Sequence, residues 1–107
     1  MTQKNIILAC SAGMSTSMLV TKLRKEASNK DYDYNIYAVP TMSLEEEINK
    51  NEIAAIFLGP QVAFQLNNIK ETVGTRNIPI RIIDTMDYGM MKADKIIEDI
   101  HEAVNLK

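Results

Sequence analysis

Six consecutive apolar residues, Ile53-Ala54-Ala55-Ile56-Phe57-Leu58, lie between Asn51-Glu52 on one side and Gly59-Pro60 on the other. The run is too short for a core helix and does not alternate with polar residues. A strand that is apolar on both faces is covered on both faces, which is the condition inside a parallel sheet. Parallel strands need long crossovers, usually helical, so the rest of the chain has to supply helices between strands.

It does. Residues 6–9 (Ile-Ile-Leu-Ala) and 34–39 (Tyr-Asn-Ile-Tyr-Ala-Val) read as two earlier strands, and 80–83 as a fourth. Met18, Leu19, Leu23 and Ala27 recur at helical spacing after the first strand, with Met18 assigned to the core. Asn29 and Asp33 punctuate the turn that follows. Ser43, three residues before Glu46, is a capping-box signature for a short helix over 44–49. Pro60 suits the first turn of a helix carrying Val62, Ala63, Leu66, Ile69, Lys70 and Val73, with Gly74 as its stop. Residues 84–89 read as a loop. Ala93, Ile96, Ile97, Ile100 and Val104 mark a last amphipathic helix, with His101 on its solvated side. The order β-α-β-α-β-α-β-α predicts an α/β fold, an open four-stranded parallel sheet with helices on both faces and right-handed crossovers.

The bulk numbers narrow the function. At 107 residues the chain is expected to form one domain over 1–107. A hydrophobic fraction of 46%, with 24% charged residues, is that of a globular protein. The net charge of −2, without a cluster of Lys and Arg, does not suggest a nucleic-acid surface. No apolar stretch approaches the roughly 20 residues of a membrane helix, so no membrane insertion is expected. No signal peptide is visible before the first strand, and one cysteine cannot form an internal disulfide; both fit a cytoplasmic protein. One Cys and one His make a zinc site improbable on ligand count, and no metal or cofactor is expected.

In open parallel sheets, ligands sit outside the carboxyl ends of the strands, where strand order reverses. Cys10, Pro40, Gly59 and Asp84 all fall at such ends and should share one rim. Cys10 is the only cysteine, and Ser11-Ala12-Gly13-Met14-Ser15-Thr16-Ser17 leads from it into the first helix. A helix N-terminus offers unpaired N–H groups and partial positive charge, which favour a thiolate and bind anions. Gly13 permits a positive φ and close backbone approach. The hydroxyls of Ser11, Ser15, Thr16 and Ser17 can donate to phosphoryl oxygens. A free cysteine is more often a small buried hydrophobe. Four hydroxyl residues, however, exceed what a structural turn needs, and they point to a nucleophile with an anion cradle.

Small cysteine phosphatases and arsenate-type reductases share a strand-Cys-loop-helix layout, but their loop carries an arginine where this chain has Thr16. No Arg or Lys lies between Cys10 and Lys22. Without that bidentate clamp the loop is poorly equipped to cleave phosphate and better suited to carrying it. A non-catalytic anion-binding regulatory domain is the third reading.

Residues 10–17, Cys-Ser-Ala-Gly-Met-Ser-Thr-Ser, resemble the phosphorylation loop of the IIB (EIIB) components of the bacterial sugar phosphotransferase system (PTS), lactose/cellobiose (chitobiose) family. Two further segments are similar to that family: Leu58-Gly59-Pro60-Gln61-Val62-Ala63-Phe64, and Ile83-Asp84-Thr85-Met86-Asp87-Tyr88-Gly89. The likeness covers nearly the whole chain. It implies a flavodoxin-like or phosphatase-loop-like fold. It also implies a phosphocysteine at Cys10, cradled by residues 11–17. The phosphoryl group would come from a phosphohistidine of a IIA (EIIA) protein and pass to a sugar held by the membrane component IIC (EIIC), such as the β-linked disaccharides cellobiose, chitobiose or lactose. Gly59, Pro60, Gln61 and Tyr88 would border the docking face, with Gly89 beside them and Met14 and Met18 as a soft contact surface.

Overall fold

Four parallel strands form the sheet in the order β2-β1-β3-β4 in a computed structural model that describes residues 3–11 and 14–105, with residues 14–16 described by their backbone. They are β1 (Lys4–Cys10), β2 (Tyr34–Pro40), β3 (Ile53–Leu58) and β4 (Ile80–Ile82). Five α-helices among the described residues connect and cover them: α1 (Met14–Asn29), α2 (Leu44–Lys50), α3 (Leu66–Val73), α4 (Thr85–Gly89) and α5 (Ala93–Asn105).

Alternation along the strands divides the core in two. Ile6 and Leu8 of β1, Ile36 of β2, and Ala55 and Phe57 of β3 pack with Leu19 and Leu23 of α1 and Ile96, Ile97 and Ile100 of α5. Their neighbours Ile7, Ala9, Val39, Ile56 and Leu58 point the other way, against Leu44 and Ile48 of α2 and Ile69 and Val73 of α3. This period of two is the pleat itself, and it explains why β1 and β3 are apolar at every central position. Each fully buried large side chain contributes roughly 1.5–3 kcal/mol. The two edge strands, β2 and β4, are the ones with intermediate burial.

Local chemistry sets the connections, and it differs from the sequence reading in four places. Ser43 makes no capping hydrogen bond, because a 3-10 turn over Thr41–Ser43 precedes α2 and holds Ser43 at φ −101° and ψ 2°. Those angles are not the extended ones an N-cap requires. The single helix expected after Pro60 is broken: a 3-10 segment, Pro60–Gln65, has non-helical angles at Val62, and the α-helix starts only at Leu66. Residues 85–89, expected as loop, form α4. Its N-cap is Asp84, whose carboxylate accepts from the backbone N–H of Met86 (3.0 Å) and Asp87 (3.2 Å). Met18 is 61% exposed rather than buried in the core. Gly74 ends α3 as expected, at φ +64°, where a Cβ would be strained. No described helix is long and apolar enough to cross a membrane.

Candidate functional site

The chain order runs outward from β1 to β2 and then jumps back across β1 to β3, so the reversal point lies between β1 and β3. Cys10 is the last residue of β1, on one flank of that point. It pairs in register with Pro40 on β2, while its neighbour Ala9 pairs with Leu58 on β3. The Gly59 N–H donates to the Ala9 carbonyl at 3.1 Å, and the Ile83 N–H donates to the Leu58 carbonyl at 2.9 Å. Backbone bonds therefore tie the exits of β1, β3 and β4 together, and the expected rim of Cys10, Pro40, Gly59 and Asp84 is present.

The pleat decides which way the thiol faces. Cys10 has the same parity as Ile6 and Leu8, whose side chains meet α1 and α5. Its side chain therefore falls on the sheet face that α1 covers. Helix α1 begins at Met14, four residues later in the chain. No residue from Ser11 to Ser17 carries a charge. Cys10 is 1% exposed and carries a free thiol.

The cradle residues are placed unevenly. Ser11 is an exposed bend residue, and Ser17 is exposed, its carbonyl accepting from the Thr21 hydroxyl at 3.1 Å. Ala12 and Gly13 lie outside the described residues, and Met14, Ser15 and Thr16 are described only as the first turn of α1.

On the other side of Cys10, the expected rim residues form one unit. Gln61 folds back over Gly59: a Cβ on Gly59 would meet the Gln61 Oε1 at 2.6 Å. The Gln61 amide then donates from Nε2 to the Tyr88 hydroxyl at 3.1 Å. The glycine thus lets a side chain from the β3 exit reach α4, linking Gly59, Pro60, Gln61 and Tyr88. Gly89 ends α4 next to Tyr88, with open space where a side chain would be.

His101 departs from the expectation of a solvated residue. Its ring stacks on Tyr32 with centroids 4.0 Å apart, and its Nδ1 lies 2.6 Å from the Tyr34 hydroxyl. This cluster sits at the amino ends of the strands, the end away from Cys10. The sequence reading did not single out Met42, Phe64, Met86 and Met90, all strongly exposed at the carboxyl rim. Their signal was a large apolar residue set in a turn, with no helical partner to bury it.

A doubly wound α/β protein with a single thiol at the switch point is the class that fold and site define. A family model described as "PTS system, Lactose/Cellobiose specific IIB subunit" matches residues 5–99. The chain belongs to this family and is a IIB component, a phosphotransferase subunit, of a sugar phosphotransferase system. It is 36% identical over 108 residues to a cellobiose-specific EIIB component of Lactococcus lactis, covering 98% of this chain and 100% of the relative. It is 38% identical over 95 residues to an oligo-beta-mannoside-specific EIIB component of Bacillus subtilis, covering 89% and 90%. The solution structure of a cellobiose-specific phosphotransferase IIB component from Borrelia burgdorferi superposes with a TM-score of 0.80 at 37% identity, over 99% of this chain and 95% of that one. A lactose-specific IIB domain from Streptococcus pneumoniae shares the fold at 14% identity, with a TM-score of 0.82 over 95% and 98%.

Proposed function

We propose that Cys10 is a transient phosphoryl carrier in the cytoplasm, between a phosphohistidine of a IIA protein and a sugar bound by a membrane IIC component. One observation carries this reading: the only thiol of the chain stands at the carboxyl end of β1, at the sheet's reversal point, on the face from which α1 opens. In the first step the Cys10 thiolate attacks the phosphorus. The S–P bond forms as the P–N bond breaks, and the proton given up by the thiol ends on the imidazole, which leaves neutral. In the second step a sugar hydroxyl attacks the same phosphorus. The O–P bond forms, the S–P bond breaks, and the hydroxyl proton returns to the sulfur. Charge gathers on the three equatorial oxygens in both steps. The N–H groups at the start of α1 and the hydroxyls of residues 11–17 are the donors for those oxygens. The relatives' names divide among cellobiose, galactose and oligo-beta-mannoside; the sugar proposed for this chain is a β-linked disaccharide such as cellobiose, chitobiose or lactose.

The absent loop arginine favours carrying over hydrolysis. Intact-mass and peptide spectrometry after incubation with the phosphorylated donor tests the proposal. One phosphate on Cys10 is expected in the wild type and none in Cys10→Ser. Phosphate on any other residue, or an undiminished signal in the variant, overturns it. Steady turnover of an aryl phosphate would instead favour the phosphatase reading.

A further inference from the structure

Exposed large apolar side chains normally scatter over a protein surface. Here the described ones are Met18, Met42, Phe64, Ile82, Met86 and Met90. Each lies on the last residue of a strand or in the segment that leaves a strand's carboxyl end, and together they sample all four exits around Cys10. Met42 is 90% exposed and Phe64 82%, values that no packing role accounts for. Methionine and aromatic residues are enriched where proteins dock, and methionine adapts its shape at little cost.

The charges at this end are lopsided. The exit segments 11–18, 40–46, 59–65 and 83–92 hold four acidic residues, Glu45, Glu46, Asp84 and Asp87, and one basic residue, Lys92. The whole chain is nearly balanced, at 14 acidic to 12 basic. An apolar rim with an acidic edge suits a partner whose face is apolar and edged with Lys and Arg. The cytoplasmic loops of membrane proteins carry that excess of Lys and Arg. The cytoplasmic lipid surface is itself negative and would repel this edge.

We infer that the methionine-rich rim, with Glu45 and Glu46 at its edge, is the surface that docks on the basic cytoplasmic loops of the membrane sugar-binding component, through protein contacts and not through lipid. The inference rests on the carrier reading above and adds the chemistry of the contact.

Nanodiscs holding that membrane component, and empty discs rich in anionic phospholipid, separate the cases by measured binding of the full chain. Wild type is expected to bind the loaded discs, more weakly as salt rises from about 0.05 to 0.5 M, and to ignore the empty ones. Met42→Ser with Phe64→Ser should weaken binding about tenfold or more, as loss of anchor residues does. Glu45→Lys with Glu46→Lys should weaken it several-fold and flatten the salt dependence. All four positions are solvent-facing; Met86→Ser replaces the apolar pair if circular dichroism shows that pair unfolded. Equal binding by the rim variants, salt-independent binding, or equal binding to empty discs overturns the inference. Wild type that docks but takes no phosphate from the donor overturns the carrier reading and leaves the docking surface standing.

Discussion

The two ends of the sheet are built on opposite principles. At the amino end, side chains bind side chains. Asn35 on β2 donates to Asn5 on β1 at 3.0 Å, and Asn5 donates to the Glu52 carbonyl ahead of β3 at 2.8 Å, so one amide chain crosses three strand starts. Tyr32, Tyr34, His101, Glu98 and Lys30 form a second cluster there, joining the turn after α1 to α5. At the carboxyl end the described residues include the Asp84 cap and the Gln61–Tyr88 link, and large apolar side chains face outward. Side-chain hydrogen bonds mark one end, and the exposed apolar side chains of the proposed docking rim mark the other.

That division can be broken most forcefully through the core. Ile97 is fully buried between α5 and the sheet. Ile97→Ala should cost about 2–5 kcal/mol in urea unfolding, and Cys10 in the remaining folded molecules should still take up phosphate. A smaller effect is expected at the amino end. Tyr34→Phe removes the hydroxyl beside His101 and should cost about 1 kcal/mol, leaving phosphate uptake unchanged. If uptake falls with this variant, the two ends are coupled and the contrast fails.

The smallest effect is electrostatic. The Lys30 ammonium holds the Glu98 carboxyl below the usual carboxylate range, and Glu98 in turn holds Lys30 above the usual lysine value. A depressed carboxyl stabilises the fold above its unfolded value and loses that contribution as pH falls through the folded one. A raised ammonium does the reverse, losing its contribution as pH rises through its folded value. The pair therefore stabilises between the carboxylate and lysine ranges and fades at both limits. Both groups are open to solvent, so the change is modest and screened by salt. Glu98→Gln should remove this part of the pH dependence from unfolding curves measured in low salt. Burial also raises the hydroxyl pKa of Tyr34 and Tyr37, most strongly for Tyr37, so stability should decline further in alkali as those tyrosines ionise.

The strands and the place of Cys10 in the sheet were legible because their signals are local. Uninterrupted apolar runs announced β1 and β3, and Cys10 followed by small and hydroxyl residues announced the switch point. What stayed hidden depends on angles or on distant neighbours. Ser43 and Glu46 have capping-box spacing, but a 3-10 turn upstream takes Ser43 out of extended geometry. Asp84 opens a segment read as loop, yet its two accepted bonds convert residues 85–89 to helix. Met18 sits one position before Leu19, a rotation of about 100° away from the buried stripe. His101 is four residues after Ile97 and three before Val104, at the margin of the buried face, and only the fold reveals Tyr32 and Tyr34 waiting there.

The burial of Cys10 also bears on oxidative damage. Oxidation of a thiol follows its exposure and its thiolate character. A cysteine with no second cysteine in the chain has no internal partner to capture a sulfenic acid as a disulfide, so an oxidised Cys10 depends on outside thiols for repair. Cys10 is 1% exposed, which is the condition of low susceptibility. In the carrier role proposed above, the sulfur has to be uncovered to meet phosphorus, so its vulnerability is confined to the time spent docked.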